Sequence, residues 1–365
     1  MSSNHNHLVI MAGGVGSRFW PMSTTDYPKQ FIDVLGCGRT LIQLTKDRFE
    51  GICPPENIWI VTSDKYADEV KRQLPEVADD HILREPCRRN TAPCIAYVSW
   101  KIKSRDPKAN MVVTPSDHVV LDVKEFQRVI VSAMKFTNNS DAILTLGMKP
   151  NRPETGYGYI EADLSYPSNY NKEIYRVDSF KEKPNLATAE RYIKKPSYFW
   201  NAGIFLWKAE TIQKKMEKYL PEVAGLFKGW ESALGTSVEN EFIAKAYTGC
   251  RNISIDYGVM EKTDEAWMYP VKFGWSDVGT WESLYNIIPE KDAYGNAVSA
   301  EKTLIKNTRG VLVVSPEKKK LIAIKGLEDY MVVDTEDVLV ICPKDDKKFK
   351  DFITGLGMPD YEKYR

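Results

Sequence analysis

The sequence is poor in the residues that build metal clusters and disulfide frameworks. Its 365 residues include six cysteines and four histidines, with no Cys-x-x-Cys pair and no His-Glu-x-x-His string. Scattered cysteines favour a reduced, cytoplasmic protein, and the absent ligand spacing argues against a zinc site. His5 and His7 are therefore interpreted as parts of a frayed N-terminus rather than as metal ligands.

Long apolar runs and an excess of either charge are also missing. No run is long enough to cross a bilayer, and the polar residues 1–7 do not form the core of a secretory signal. Lys and Arg together number 50, as do Asp and Glu, so nothing favours nucleic acid or an anionic membrane as a partner. We expect a cytoplasmic, globular protein of two or three domains.

Apolar, β-branched runs alternate with helix-like spacing through the first 150 residues. Strands are predicted near 8–11, 58–62, 81–83, 111–114 and 142–146, and helices near 40–49, 64–73, 91–104 and 124–137. This order predicts an α/β fold, with a mostly parallel sheet covered by helices on both faces. Beyond about residue 290, short β-like runs separated by charged turns predict a small β-rich domain. We therefore divide the chain into domains 1–288 and 289–365.

The segment after the first predicted strand combines glycines with positive charge. Glycine-rich turns after strands expose N–H groups that hold phosphate, and Arg and Lys add affinity for a phosphate-rich ligand. A dinucleotide loop is disfavoured because Phe19 stands at the third glycine position, and no P-loop string occurs. The segment predicts a nucleoside triphosphate site, or else an ordinary glycine-rich turn with surface charges. The residues concerned are Gly13, Gly14, Gly16, Arg18 and Lys29.

Two aspartates are candidates for a magnesium site. Asp117 follows a predicted buried strand, and Asp277 lies between two tryptophans in Trp275-Ser-Asp-Val-Gly-Thr-Trp281. Mg²⁺ usually takes one or two carboxylates together with phosphate oxygens and water. The alternatives are a turn residue for Asp117 and a helix N-cap for Asp277.

A second set of polar residues fits a sugar phosphate. Lys183 could hold the phosphate and Glu182 the hydroxyls, with Asn201 as a further hydrogen-bonding group. Gly156 lies in a stretch of closely spaced glycines and aromatics that permits close approach of a ligand. The alternatives are solvated charges at a strand end, a turn at Asn201 and a tight hairpin around Gly156.

Together these motifs resemble the sugar nucleotidyltransferases, and among them the mannose-1-phosphate guanylyltransferases. The resemblance covers nearly the whole chain, and Gln30 and Arg89 favour the mannose/GDP branch over the glucose branches that use dTDP or UDP. Thr24 and Ala202 depart from the residues common in the family, which bears on substrate fit. The resemblance rests on eight segments that occur in the same order as in the family. They are Gly13–Pro21 with Pro28–Phe31, Glu85–Pro93, Pro115–His118, Glu154–Ile160, Phe180–Pro184, Trp200–Gly203, Ile255–Lys262 and Trp275–Gly279.

The resemblance implies a Rossmann-like, GT-A-like catalytic sheet and a C-terminal domain of left-handed β-helix type that can support a homodimer. It implies transfer of GMP from GTP to mannose 1-phosphate, with release of pyrophosphate, and the end of the chain leads us to expect no added isomerase activity. Rival hypotheses are another sugar or nucleotide (GDP-heptose, UDP- or dTDP-sugars), a non-catalytic regulatory subunit, and a nicotinamide dehydrogenase.

The resemblance also implies residue roles. Asp117 and Asp277 would hold Mg²⁺, Arg18 and Lys29 would neutralise the triphosphate, and these four would be catalytic. The nucleotide would contact Ala12, Gly13, Gly14, Gly16, Glu85, Asn90 and Ser116. The sugar phosphate would contact Gly156, Glu182, Lys183 and Asn201.

Overall fold

Strands and helices alternate through the first 148 residues, as the sequence predicts. The structure is a computed structural model that describes residues 4–14, 19–345, 348–355, 361 and 364. Its strands in this part are β1 (Asn6–Met11), β2 (Ile58–Ser63), β3 (Ile82–Glu85), β4 (Asn110–Pro115), β5 (Val119–Val120) and β6 (Ile143–Met148). The helices are α1 (Leu41–Asp47), α2 (Ala67–Gln73), α3 (Thr91–Arg105) and α4 (Val123–Asn138).

The remainder of the chain mixes both element types before it becomes strand-rich. The middle part contains β7 (Tyr159–Pro167), β8 (Tyr175–Lys181), α5 (Leu186–Tyr192), β9 (Tyr198–Lys208), α6 (Ala209–Tyr219), α7 (Pro221–Phe227), α8 (Glu239–Gly249), a π-helix (Asp256–Met260), β10 (Ala266–Val271), β11 (Trp275–Ser276) and α9 (Trp281–Ile287). The last part contains β12 (Ala297–Ser299), β13 (Lys302–Lys306), β14 (Leu312–Val314), β15 (Leu321–Lys325), β16 (Tyr330–Asp334), β17 (Leu339–Pro343) and α10 (Phe349–Thr354).

The predicted mostly parallel sheet is confirmed. Nine strands pair in the order β3-β2-β1-β4-β9-β6-β10-β8-β7. Strand β1 lies between two parallel neighbours, with Leu8 opposite both Ile58 and Val112. Strand β9 runs antiparallel to both of its main neighbours, β4 and β6, so those two strands share one direction. Strand β10 pairs in parallel with β6 although it contains Pro270, a residue that is depleted from strand interiors.

Side-chain caps fix where several helices begin. Asn90 caps α3, its side chain accepting a hydrogen bond from Thr91 N at 2.9 Å. Asp122 caps α4 by accepting from Glu125 N at 2.9 Å. These caps satisfy N–H groups that lack a partner inside the helix. No helix of the described residues is both long and apolar enough to cross a membrane.

The chain forms two compact units that are not continuous in sequence. One comprises residues 1–13, 46–116 and 120–275, and the other comprises 14–45, 117–119 and 276–365. The core of the first unit includes Val9, Trp59, Val113 and Phe205. The core of the second includes Phe19, Trp281, Leu312 and Met331. The domain boundary proposed at residue 288 stays a prediction.

The strand-rich end of the second unit contains a four-stranded sheet, β12-β14-β16-β17, and a two-stranded parallel ladder. Within the four-stranded sheet β17 runs antiparallel to β16, and the other strands pair in parallel. Strands β12, β14 and β16 pair in register, with Val298 opposite Val313 and Val313 opposite Val332, while β13 pairs with β15. Val313 and Val332 pack against Ile322 and Ile324 of β15. Stacked parallel strands around an apolar interior are typical of a β-helix. The left-handed coil and the homodimer implied by the resemblance stay predictions.

The interpretation of His5 and His7 as a frayed terminus is wrong. His5 Nδ1 lies 2.8 Å from Asp106 Oδ2, and His7 Nε2 lies 3.1 Å from the same oxygen. His7 is buried and belongs to β1. Asp106 caps the end of α3, a hundred residues away, so the first residues of the chain gave no signal of this contact.

Candidate active site

Lys29 brings three of the predicted catalytic residues together. It begins a single 3₁₀ turn, Lys29–Phe31, and its side chain is almost fully buried. Its ammonium nitrogen lies 3.0 Å from Asp117 Oδ2. It also donates to the backbone oxygen of Asp277 at 2.7 Å and to that of Val278 at 3.1 Å. A buried positive charge is therefore balanced by one carboxylate and two carbonyl groups.

The turn that contains Asp277 has an unusual backbone. Val278 is fully buried and has φ +45°, a left-handed conformation that β-branched residues rarely adopt. Hydrogen bonds hold the turn: Gly279 N donates to Asp277 Oδ1 and Val278 N donates to Ser276 Oγ, both at 3.0 Å. Such strain is typical of functional sites, where the surrounding structure maintains it.

Asp277 is not a helix N-cap, which was the alternative interpretation of this residue. The N-cap of α9 is Thr280, and it forms a capping box with Ser283. The carboxylate of Asp277 therefore stays within the turn that precedes the cap.

The oxygen chemistry of Asp117 and Asp277 suits a hard cation. No group of three or more His, Cys, Asp or Glu side chains able to hold a metal occurs within the described part of the chain. A complete protein cage is therefore absent from that part, whereas Mg²⁺ needs only one or two carboxylates when a substrate supplies phosphate oxygens. The two aspartates fit this requirement.

The predicted nucleotide residues Gly13 and Glu85 are neighbours in the first unit. A Cβ atom added at Gly13 would lie 3.1 Å from Glu85 Oε2, so a side chain here would crowd that carboxyl group. Glu85 is buried, and Tyr247 donates its hydroxyl to Oε1 at 3.0 Å. Burial raises the pKa of Glu85 to about 7, although the bond from Tyr247 and the charge of Arg88 oppose the shift.

Hydrogen bonds to backbone oxygens hold the ends of the strands beside this pair. Ala12 N donates to Val61 O at 2.7 Å, and Thr62 Oγ1 donates to Ala12 O at 3.0 Å. Ser116 N donates to Met11 O at 3.1 Å, which keeps Ser116 at the carboxyl ends of β1 and β4. In open α/β sheets this edge is where ligands bind.

The other residues predicted to contact the nucleotide lie in different parts of the structure. Asn90 is exposed and caps α3. Gly14 accepts a hydrogen bond at its backbone oxygen from Gln30 Nε2, at 3.0 Å. Gln30 is buried, and its hydrogen bond holds the glycine-rich segment in place. No such contact was predicted for Gln30 from the sequence. Gly16 and Arg18 lie outside the described residues.

Glu182, Lys183 and Asn201 converge on one place in the first unit. Lys183 Nζ lies 2.9 Å from Glu182 Oε1, and the Glu182 side chain is largely buried. A Cβ atom added at Gly158 would lie 2.5 Å from Glu182 Oε2 and 3.3 Å from Asn201 Cβ. Both side chains therefore flank the same glycine. Gly156, the fourth predicted residue, is exposed and donates its N–H to Glu154 Oε1 at 3.0 Å.

Aromatic rings and two further carboxylates lie around Glu182 and Asn201. Tyr157 meets Trp200 and Trp275 edge to face, with ring centroids 5.2 and 5.4 Å apart. Asp256 accepts from Asn201 Nδ2, and Glu261 accepts from the backbone N–H of Glu182. The motif Ile255–Lys262 contained both carboxylates, but nothing in its spacing linked them to residues 182 or 201.

Known proteins are similar to this chain over most of its length. Residues 7–293 match the family described as "Nucleotidyl transferase". The chain belongs to this nucleotidyl transferase family. It is 36% identical to Mannose-1-phosphate guanylyltransferase 2 of Escherichia coli O157:H7 over 93% of this chain and 70% of that protein. It is also 36% identical to Alginate biosynthesis protein AlgA of Pseudomonas aeruginosa, over 92% of this chain and 69% of that protein.

A solved structure extends the similarity to three dimensions. A crystal structure described as a mannose-1-phosphate geranyltransferase from Thermus thermophilus superposes with a TM-score of 0.84 at 30% identity. The match covers 97% of this chain and 99% of that one, so it includes the strand-rich C-terminal part.

Proposed function

We propose that the protein transfers GMP from GTP to mannose 1-phosphate and releases pyrophosphate. The observation that carries the proposal is the contact of Lys29 with Asp117 and Asp277 in a chain whose relatives are named mannose-1-phosphate guanylyltransferases. A buried cation beside two candidate metal ligands suits chemistry on a triphosphate.

The reaction needs little from a side-chain nucleophile. A phosphate oxygen of the sugar phosphate, already anionic, attacks the α-phosphorus of GTP in line, and pyrophosphate leaves. Alignment and charge neutralisation then supply most of the catalysis. In this proposal Lys29 and Arg18 add positive charge, Glu85 and the Ala12–Gly14 backbone receive the nucleoside, and Glu182, Lys183 and Asn201 orient the sugar phosphate.

Asp117 and Asp277 would hold Mg²⁺, whose contribution when bound is to neutralise phosphate charge. The oxygen ligands support a hard cation over zinc or copper. A cytoplasmic location and a homodimer complete the proposal as expectations.

The test is pyrophosphate release in the presence of Mg²⁺. GTP, ATP, UTP, CTP and dTTP are each combined with mannose 1-phosphate and with glucose 1-phosphate. We expect release only with GTP and mannose 1-phosphate. Release with another pair keeps the reaction type and overturns the substrate, and no release with any pair indicates a binding or regulatory role.

A further inference from the structure

The side-chain amide of Asn201 has one permitted orientation. The backbone N–H of Gly203 donates to Asn201 Oδ1 at 3.1 Å. The hydroxyl of Thr145 lies 3.0 Å from the same oxygen and 3.2 Å from Ile204 O, and its single proton is shared between these two acceptors. Because a backbone N–H can only donate, Oδ1 must face Gly203, and Nδ2 must then face Asp256. Asn201 Nδ2 donates to Asp256 Oδ1 at 3.0 Å. Oδ1 is thereby held by the protein, and within the described part of the chain one N–H of Nδ2 is left for a ligand.

Asp256, the acceptor of the Asn201 amide, lies in an uncommon type of helical turn. It is the first residue of the π-helix Asp256–Met260, and π-turns often occur at functional sites. Burial, and then the negative charge of Glu182, raises the pKa of Asp256 to about 7, while Lys183 opposes the shift. The other ionisable neighbours are Tyr257 of the same π-helix, which faces Lys183, and Glu261 at its end.

The same segment also supports Glu182. The backbone N–H of Glu182 donates to Glu261 Oε1 at 2.8 Å, and Lys181 Nζ lies 3.5 Å from that oxygen. Two of the four predicted sugar-phosphate contacts, Glu182 and Asn201, therefore form hydrogen bonds with one short stretch of chain, residues 256–261. Neither carboxylate of this stretch was among the site residues expected from sequence.

We propose that Asp256 is a positioning residue that, together with the N–H of Gly203, holds the amide of Asn201 with an N–H donor toward the sugar. Asn201 then presents a donor, and Glu182 an acceptor, close to Gly158. The sugar phosphate must place one hydroxyl that accepts from Asn201 and one that donates to Glu182. A deoxy analogue that lacks the accepting hydroxyl would be selected against. This inference rests on the proposed function, since it concerns the sugar phosphate of that reaction.

Two substitutions of Asp256 separate its role as a hydrogen-bond acceptor from its negative charge. Asp256→Ala removes the acceptor and frees the amide, so the KM for the sugar phosphate should rise about tenfold while that for GTP stays unchanged. Asp256→Asn can still accept through its amide oxygen, and should restore the KM to within about twofold of the wild type at pH 6. Asp264→Asn, at an exposed turn residue whose backbone oxygen accepts from Arg176, is the matched control for loss of one negative charge.

The pH dependence of the sugar-phosphate KM is a measurement that a purely structural role of Asp256 would not change. In the wild type, Asp256 ionises as the pH rises through about 7 and places a second negative charge near the bound phosphate. The sugar-phosphate KM of the wild type, divided by that of Asp256→Asn, should therefore increase from pH 6 to pH 8.5. Titration of the substrate phosphate affects both enzymes equally and cancels in this ratio.

The outcomes distinguish this inference from the proposed function. A wild type without turnover on any nucleotide and sugar-phosphate pair overturns the proposed function. An active wild type with an unchanged sugar-phosphate KM in Asp256→Ala, or an Asp256→Asn variant as impaired as Asp256→Ala, overturns the inference. If Asp256→Ala melts early, Thr145→Val loosens the same amide from its other side and should raise the same KM. An unchanged KM in Thr145→Val would equally count against the inference.

Discussion

The ammonium of Lys29 lies 3.0 Å from a carboxylate oxygen of Asp117. Because the Lys29 side chain is almost fully buried and that of Asp117 is about one-third exposed, the pair places a fixed positive charge beside a carboxylate that solvent and ligands can reach. The pair therefore balances charge within the protein and leaves Asp117 accessible to an additional cation.

Asp117→Asn should abolish most of the turnover. The substitution keeps the shape of the side chain but removes the charge that we assign to metal binding, and loss of one such stabilising group costs about 10²–10³ in rate. Pyrophosphate release at saturating Mg²⁺ measures the loss. Asp337→Asn, at an exposed residue between β16 and β17, is the control. An Asp117→Asn enzyme that keeps near-normal turnover would show that this carboxylate holds no catalytic metal.

Gly158→Ala should weaken the sugar-phosphate site selectively. Its new methyl group would lie 2.5 Å from Glu182 Oε2 and 3.3 Å from Asn201 Cβ, so both side chains would have to move. We expect the sugar-phosphate KM to rise about tenfold or more, at an unchanged GTP KM. Gly225→Ala in α7 is the matched control, because nothing lies within 4 Å of its new methyl group. Equal kinetics for the two variants would remove Glu182 and Asn201 from the sugar site.

Glu85→Gln should stabilise the protein at high pH while it impairs function. The pKa of Glu85 is raised from 4.5 to about 7, so the folded state binds more protons than the unfolded state between these values. Stability is therefore lost as the pH rises through this window, by roughly 3 kcal/mol at most. The gain from Glu85→Gln should grow between pH 5 and pH 8 in denaturant titrations.

Such a gain would indicate that the carboxyl group is kept for binding at a cost in stability. The control is Glu336→Gln, at an exposed residue, which should show no such trend. A constant difference between Glu85→Gln and wild type across this pH range would contradict the raised pKa.

His7 should make the fold sensitive to mild acid. Trp59 Nε1 donates to His7 Nδ1 at 3.2 Å, and an indole nitrogen can only donate, so Nδ1 carries no proton in the folded state. Burial lowers the pKa of His7, against the opposing effect of Asp106. The unfolded state then binds more protons, and stability falls as the pH drops below about 6.5, by up to about 1.4 kcal/mol per pH unit.

His7→Gln should flatten this decline, as measured by unfolding free energies from pH 7 to pH 5. His5→Gln, which leaves the bond between His7 and Trp59 in place, should retain it. If the decline were as steep in His7→Gln as in the wild type, another group would be responsible.

Local patterns in the sequence were sufficient for the order of elements in the first 148 residues and for the location of some candidate site residues. Alternating apolar runs predicted the parallel strands β1 to β4, and Asp117 could be placed because it follows a strand end directly. Sequence reasoning missed the two-residue strands β5 and β11 because they are too short to show a period. The roles of Gln30, Asp256 and Glu261 were missed because each depends on a hydrogen bond to a distant residue.

The sequence by itself determined which residue types stand at the ends of which strands, because β-branched runs, glycines and helix caps act over a few neighbouring residues. Only the tertiary structure decided which of them meet. Asn201 and Asp256 are 55 residues apart, Glu85 and Tyr247 are 162 apart, and Lys29 and Asp277 are 248 apart. Such contacts arise when whole elements pack to bury apolar surface, and their polar partners are selected by proximity in the packed core rather than by any spacing along the chain.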